Sequence, residues 1–458
     1  MALEREVAAI SSQFAVSDAE LLAIAKEYIR LAELGLGTDS MPMTMIPSFV
    51  TDVPNGSERG TFLAVDLGGT NFRVCSVTLL GNGEYKLEQK STAVSKNLMT
   101  GSSKDLFSFL AKQVETFMKL HLNDHFNEES STNGEHILKL GFTFSFPVNQ
   151  TAVNRGTLIR WTKGFDVVDA IGQDVCLLLQ KELDALKLGV HVAALVNDTV
   201  GTLMSRAYAS SSEALTKVGL IVGTGTNGAY VEDLAKVTKL DLSSAAFSNK
   251  HLMIVNTEWG AFDNALRVLP VTQYDRLVDG ITPNPGFQMF EKRVSGMFLG
   301  EIVRQILLDL CTRKVLFAGP SAELTTEWQL DTSFLSEVEN DESEDFDGIC
   351  KLVEKSLALH TSHAERCAIK KIVEAVGKRS AYLAGAIIAG TLQHIGACSN
   401  RSSVDLGVDG SVYAHYPNYS KLLKESIKII LGDDEARVII GRAEDGSGVG
   451  AALCALVA

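Results

Sequence analysis

A short motif that occurs twice constrains this chain most: strand, glycine turn, strand. Apolar, strand-like residues run from Phe62 to Asp66, Gly68-Gly69-Thr70-Asn71 makes a turn, and strand-like sequence resumes through Val77. The same succession returns at Gly219–Glu232 around Gly223-Thr224-Gly225-Thr226-Asn227. Glycine lets a backbone approach phosphate closely and turn its N–H groups toward the oxygens. Two related α/β halves, each presenting a phosphate-holding hairpin, would account for the pair; the match is short, and chance similarity is the alternative. The second turn also spells Gly-x-Gly-x-x-Gly at Gly223, Gly225 and Gly228. A dinucleotide fold would need a helix opening directly after it. Ala229-Tyr230-Val231-Glu232 reads instead as a strand, so the hairpin fits better.

A chain of 458 residues is too long for one typical core and implies two or more. Its net charge of −14 disfavours nucleic acid and anionic membranes as partners. The seven cysteines are scattered without a Cys-x-x-Cys pair, which reads as reduced, mostly buried thiols of a cytosolic protein. Met1–Phe14 carries Glu4 and Glu6 and does not read as a secretory signal. The apolar stretch Tyr382–Leu392 falls short of the roughly 20 residues of a membrane span. The pairs His121/His125 and His360/His363 lack a third ligand nearby in sequence, so no zinc site is expected. Neither a Gly-x-Ser-x-Gly elbow nor a Walker A loop occurs.

Periodicity predicts a helix over 17–34, opened by a Ser17/Glu20 capping box. It then predicts strands Thr61–Asp66, Arg73–Leu80 and Tyr85–Lys90, the last two joined by a Gly81-Asn82-Gly83 turn. A helix Lys104–His121, a polar loop Asn123–Glu135 and a strand Ile137–Phe142 come next. Strand His191–Val196, helix Thr199–Ala209, and strands Val218–Val222 and Ala229–Glu232 follow. The second half is more helical, over 294–311, 347–359, 364–397 and 417–431; the acidic run Glu337–Asp347 reads as a solvated loop. Strand Val438–Gly441 precedes a small-residue helix, Gly448–Ala458.

Several residues on this scaffold carry chemistry. Asp66, at a strand end beside the first turn, suits hydrated Mg²⁺, and Thr70 adds a hydroxyl donor; a plain tight hairpin is the alternative. Asp198 follows the apolar Leu195-Val196 and can accept a hydroxyl proton, unless it or Thr199 merely caps the next helix. Glu258 and Glu291 are carboxylates of the kind that satisfy sugar hydroxyls, although Glu291 can equally be a surface residue paired with Lys292 or Arg293. Trp259 reads more readily as core than as a ligand contact. Ser145 sits in an apolar bend, and Thr162 and Lys163 sit on a loop. Asp409-Gly410-Ser411 and Asp445-Gly446-Ser447-Gly448-Val449-Gly450 are turns, the latter with small residues that suit a flat adenosine.

In this order and spacing the motifs resemble the eukaryotic hexokinase/glucokinase family, in stretches running from Leu63–Val74 to Glu444–Leu453. Phe262-Asp263-Asn264 and Arg293–Phe298 look most like fungal glucokinases. The resemblance implies an α/β, actin-like two-lobed ATPase fold with ribonuclease-H-like sheets and an active-site cleft between lobes. The small lobe would hold 58–195 and 443–458, the large lobe 1–57 and 196–442. It implies ATP-dependent phosphorylation of the glucose 6-hydroxyl at the entry to glycolysis, with ATP and Mg²⁺, in the cytoplasm. Glucose is the expected sugar, with mannose and fructose as alternatives, and the chain would be a monomer or weak homodimer.

Residue by residue, Asp198 matches the family's catalytic base. Ser145, Thr162, Lys163, Asn197, Asn227, Glu258 and Glu291 match its glucose contacts, and Lys163 also its stabiliser of phosphoryl charge. Asp66, Gly68, Gly69, Thr70, Asn71 and Arg73 match the first phosphate segment, with Asp66 serving Mg²⁺ through water; Thr224 and Gly225 match the second. Ser411, Gly446 and Gly448 match the adenosine region. Two departures stand out. Met297 occupies a position where some members carry a lysine near the nucleotide, and Lys90 is the candidate for the nucleotide lysine after the first hairpin. The N-terminus lacks the lysine-rich extension of some yeast hexokinases.

Overall fold

The structure, a computed structural model, describes residues 2–122, 138–397 and 402–458. Its strands are β1 (Ile46–Pro47), β2 (Arg59–Leu67), β3 (Asn71–Gly81), β4 (Glu84–Ala93), β5 (Leu138–Phe144), β6 (Val148–Ala152), β7 (Arg155–Leu158), β8 (Val190–Val196), β9 (Leu215–Val222), β10 (Thr226–Asp233), β11 (Leu252–Asn256), β12 (Val404–Asp409) and β13 (Val438–Arg442). One sheet runs β4-β3-β2-β5-β8 and the other β1-β11-β10-β9-β12-β13. In the first, β2, β3 and β4 are antiparallel, and β5 and β8 run parallel to β2. In the second, β9, β10 and β11 are antiparallel, and β12 and β13 run parallel to β9. The two sheets therefore share one plan, with β1 as an added edge. The glycine turns occupy the same place in each, the β2–β3 and β9–β10 junctions, so the internal similarity is structural.

Burial explains the strand composition. Leu63, Ala64, Val65 and Leu67 of β2 are inaccessible on both faces, as a central strand covered on both sides requires. One core lies over each sheet. A third joins them: Ala64, Cys75 and Val77 of the first sheet meet Ala229, Val231 and Ile254 of the second through helices Asp198–Ala209 and Ala451–Val457.

The seating of helix Asp198–Ala209 depends on a row of glycines. Gly219, Gly407 and Gly441 stand in register across β9, β12 and β13. A Cβ on Gly219 would lie 2.4 Å from the Leu203 backbone N; on Gly407 or Gly441 it would meet Arg206 at 2.6 or 2.3 Å. Arg206, laid in this groove, donates from Nε to Asp405 at 2.8 Å and from Nη2 at 2.5 Å. Gly219→Ala should therefore cost about 1–3 kcal/mol, because the clash is with backbone rather than a movable side chain. Urea unfolding of the variant measures it.

The predicted helix at 17–34 is Asp18–Gly37, with both hydrogen bonds of the Ser17/Glu20 box formed. Helix Ala2–Phe14 was not read from sequence, although Val7, Ile10 and Phe14 share its buried face. By length and composition alone, Ala2–Gly37 is apolar enough to cross a membrane. The chain breaks helix before the Ser17 cap, however, and Val7, Ile10 and Phe14 of the first segment and Leu21, Ile24, Tyr28 and Leu36 of the second belong to the core, while Leu22 and Leu34 are exposed. Thr391, on helix His363–His394, donates to the Tyr28 hydroxyl at 3.1 Å.

The acidic run Glu337–Asp347 is not all loop. Helix Thr332–Asn340 includes its first residues and buries Val338, with Glu337 exposed and Glu339 half-buried against the Tyr416 hydroxyl. Asn123–Glu135 and Ile137 lie outside the described residues. Hairpin β6–β7, strands β11 and β12, and helix Val175–Ala185 are further elements absent from the sequence reading.

Candidate active site

Strands β2, β5 and β8 run parallel, so their C-terminal ends bring Asp66, Ser145 and Asn197 to one side of the sheet. Ser145 N donates to the Leu67 carbonyl at 3.2 Å, and its Oγ lies 3.3 Å from the place a Cβ on Gly68 would take. The loop carrying Thr162 and Lys163 is anchored by Trp161, whose indole donates to the Val167 carbonyl at 2.7 Å and packs against Phe144, Phe146 and Phe165. Lys163 adopts a left-handed φ of 57°. Its Nζ donates to the Gly68 carbonyl at 2.7 Å, tying this loop to the first glycine turn. The Lys163 side chain is exposed, yet surrounding protein lowers its pKa against the pull of Asp198, Asp66 and Glu291.

The residue before Asp198 caps the helix. Asn197 Oδ1 accepts from Thr199 N at 3.0 Å and from Thr199 Oγ1 at 2.6 Å. The alternative that Asp198 or Thr199 provides the cap is thereby corrected: Asp198 is the first helical residue, and its carboxyl is not the cap. Burial raises its pKa to about 6, Glu258 adding to the rise and Lys163 opposing it. A carboxylate so placed can take a proton near neutral pH.

A connected set of amides and acids faces it from the second sheet. Asn227 Nδ2 donates to Asn256 Oδ1 at 2.8 Å and to Glu258 Oε1 at 3.3 Å. Asn256 Nδ2 donates to the same Glu258 oxygen at 2.8 Å. Glu258 has a left-handed φ of 55°. Burial raises its pKa, and the Asn256 and Asn227 hydrogen bonds pull the other way. Glu291 Oε2 accepts from Thr226 N at 3.0 Å. It is not a surface partner of its neighbours: Lys292 pairs with Asp279 at 2.7 Å, and Arg293 donates to the Pro270 and Met289 carbonyls. Trp259 is core, with its Nε1 donating to Thr226 Oγ1 at 3.2 Å. Asn256 was missed in the sequence; the available signal was an amide ending an apolar strand two residues before a candidate acid.

At the first glycine turn, Arg73 stands 3.6 Å from Asp66 and 2.7 Å from Asp445. Gly69, Thr70 and Asn71 form the rest of this turn; Thr70 and Asn71 are exposed, and a Cβ on Gly69 would meet nothing. Lys90 pairs with Val74 in the β3–β4 register, on the opposite face from Arg73. At the second turn Gly223 N donates to the Gly225 carbonyl at 2.9 Å, and Met297 N donates to the exposed Thr224 at 3.1 Å. Met297 itself is exposed beside it. A Cβ on Gly223 would come within 3.4 Å of Ser411 N, so Ser411 adjoins this turn. Gly446 and Gly448 are buried in the C-terminal turn, where a Cβ on Gly446 would lie 2.7 Å from Thr202 N.

Family models described as hexokinase match residues 6–208 and 217–457. The chain belongs to the hexokinase family. It is 47% identical to the glucokinase of Aspergillus niger over 482 residues, covering 100% of this chain and 97% of the relative. It is 42% identical to Glucokinase-1 of Saccharomyces cerevisiae, covering 98% and 96%. The hexokinase of Schistosoma mansoni, solved in complex with glucose, matches with a TM-score of 0.83 at 38% identity, over 99% of this chain and 98% of that one. Another hexokinase crystal structure matches with a TM-score of 0.87 at 31% identity, over 99% of each chain. The fold is the actin-like ATPase fold of these hexokinases, and the two-sheet plan is its signature.

The resemblance drawn from the sequence implies a divalent cation with the nucleotide. Among the described residues no group of three or more His, Cys, Asp or Glu side chains could hold one unaided. A lone, partly buried Asp66 with Arg73 beside it fits a cation that keeps most of its water and leans on phosphate oxygens, as Mg²⁺ does.

Proposed function

We propose that this hexokinase transfers the γ-phosphoryl group of ATP to the 6-hydroxyl of glucose, with Asp198 as the base. The observation that carries the reading is the Asp198 carboxylate, with a pKa near neutrality, facing a hydrogen-bonded Asn227/Asn256/Glu258 set. Sugar hydroxyls both donate and accept, and this mixture of amides and carboxylates answers both needs. Ser145, Thr162, Lys163, Asn197, Asn227, Glu258 and Glu291 would hold the sugar so that its 6-hydroxyl meets Asp198. The proton passes to the carboxylate, the hydroxyl oxygen bonds to the γ-phosphorus, and the bond to the β-phosphate oxygen breaks to release ADP.

Asp66, Gly68, Gly69, Thr70, Asn71 and Arg73 would receive the phosphates on one side, Thr224 and Gly225 on the other. Ser411, with the turn at Gly446 and Gly448, would complete the adenosine side. Mg²⁺, held near Asp66 through water, would supply charge neutralisation on the phosphates. Lys163, tied to the Gly68 carbonyl, would stabilise charge on the transferring group. Little covalent work falls to the protein; positioning and charge stabilisation dominate. We further propose that 58–195 with 443–458 closes on 1–57 with 196–442 when sugar binds, excluding water as a rival acceptor. The free state of the six described cysteines supports a cytoplasmic setting.

A coupled assay of ADP release with Mg-ATP tests the reading. Release should be strong with glucose and near background without sugar, and rates on fructose and mannose grade specificity. Sugar-independent release at the glucose rate would overturn it.

A further inference from the structure

The network behind the first phosphate turn contains a residue that the sugar and nucleotide contacts leave without a role. Asp445 has a left-handed φ of 50° although it is not glycine, and its buried Oδ2 has no hydrogen-bond partner. Both features cost stability, and such features persist where function requires them. The other oxygen, Oδ1, accepts from Arg73 Nη2 at 2.7 Å and from Gly448 N at 3.0 Å. Ser447 Oγ accepts from the same Arg73 nitrogen at 2.7 Å and hydrogen-bonds the Asp66 carboxylate. The Ser447 carbonyl in turn accepts from Thr143 Oγ1 on β5 at 2.9 Å. Gln89 takes the outer Arg73 nitrogen at 2.9 Å. The Asp445 turn also touches the helix of the proposed base, since a Cβ on Gly201 would lie 2.1 Å from the Gly446 carbonyl oxygen.

We propose that Asp445 is a positioning residue for phosphoryl transfer: it aims Arg73 along Asp66, so that the phosphate-side carboxylate and guanidinium are preset before nucleotide arrives. The inference rests on the functional reading above. Without Asp445, the same Arg73 nitrogen keeps only the neutral Ser447 hydroxyl and the distant Asp66, and can swing toward solvent or form a closer pair with Asp66. Either movement displaces the group that should face the phosphates.

Asp445→Asn preserves shape and removes the charge. Its kcat/KM for Mg-ATP should fall roughly 10- to 100-fold, as misplacement of catalytic groups does. Calorimetric affinity for a non-hydrolysable Mg-ATP analogue should fall with it, while glucose affinity stays within about twofold. Asp445→Glu should recover part of the loss. Because Asp445 acts through Arg73, adding Arg73→Lys to Asp445→Asn should cost little beyond the worse single variant. Wild-type nucleotide kinetics and analogue affinity in Asp445→Asn, with only a lowered melting temperature, would overturn the proposal, as would multiplicative losses in the double variant. Should Asp198→Asn retain full turnover, the functional reading fails instead, and analogue affinity still decides the role of Asp445.

Discussion

Asp198→Asn should lower turnover by about 10²–10⁴-fold, the usual contribution of a general base, while glucose still binds. The amide keeps the shape of the side chain and cannot accept the 6-hydroxyl proton. In the wild type the base must be ionised, and burial has raised its pKa to about 6. Turnover should therefore rise with pH through about 6 and then level, whereas the residual activity of the variant should lack that limb. The same environment predicts a gain in stability. An acid whose folded pKa lies above its unfolded value is destabilising once both states are ionised. The difference should be on the order of 3 kcal/mol at pH 8, in favour of the variant, and should vanish below about pH 4. A variant that is less active yet harder to unfold would show strain retained for chemistry. Near-normal turnover would remove Asp198 from the role of base.

The second large effect lies in the core rather than among the proposed contacts. Asp275→Ala should destabilise the protein by about 3–5 kcal/mol, the cost of breaking a buried ion pair on one side. Arg379 donates to Asp275 Oδ2 at 2.8 Å and to Oδ1 at 2.7 Å, and the side-chain exposures are 0% and 2%. Asp275 also closes the capping box of helix Gln273–Gly280 through Thr272. The Arg379 guanidinium lies 4.4 Å from the Phe14 ring centroid, and Arg293 is buried nearby with its pKa brought down to about 10 by desolvation, against the pull of Asp275. Removing the acid would leave two buried cations without this counter-charge.

Burial alone would raise the Asp275 pKa, but Arg379 outweighs it and holds it at about 2. The stability this adds is present above the unfolded carboxylate range and is lost as pH falls from about 4 through 2. Denaturation curves at pH 7 and pH 3 should show the gap between wild type and Asp275→Asn narrowing in acid. A gap that does not change with pH would mean that packing, rather than charge, makes this contact.

Much of the site was legible in the chain because it is local. Gly68–Asn71 and Gly223–Asn227 stood out as glycine-rich turns between strand-forming residues, and the β2–β3 and β9–β10 junctions carry them. The capping box at Ser17 likewise requires only a hydroxyl and a carboxylate three residues apart. The run of apolar residues into Asn197-Asp198 marked a strand end, and β8 ends there.

What the sequence alone could not decide depends on which side chains meet in space. Asp198 or Thr199 was the cap expected from sequence, and the hydrogen bonds show that Asn197 fills that place. The direction of Glu291 depended on Lys292 and Arg293 finding other partners. Gly219, Gly407 and Gly441 look unrelated in sequence, yet together they make the groove that seats the Asp198 helix. Asp445 meets Arg73 only because two sheets and the C-terminal turn converge. Local sequence thus determined the glycine turns, the Ser17 capping box and strand ends, since backbone sterics and nearest-neighbour hydrogen bonds decide those. Side-chain direction and charge state were left to the tertiary structure, because desolvation and pairing depend on everything that packs around a group.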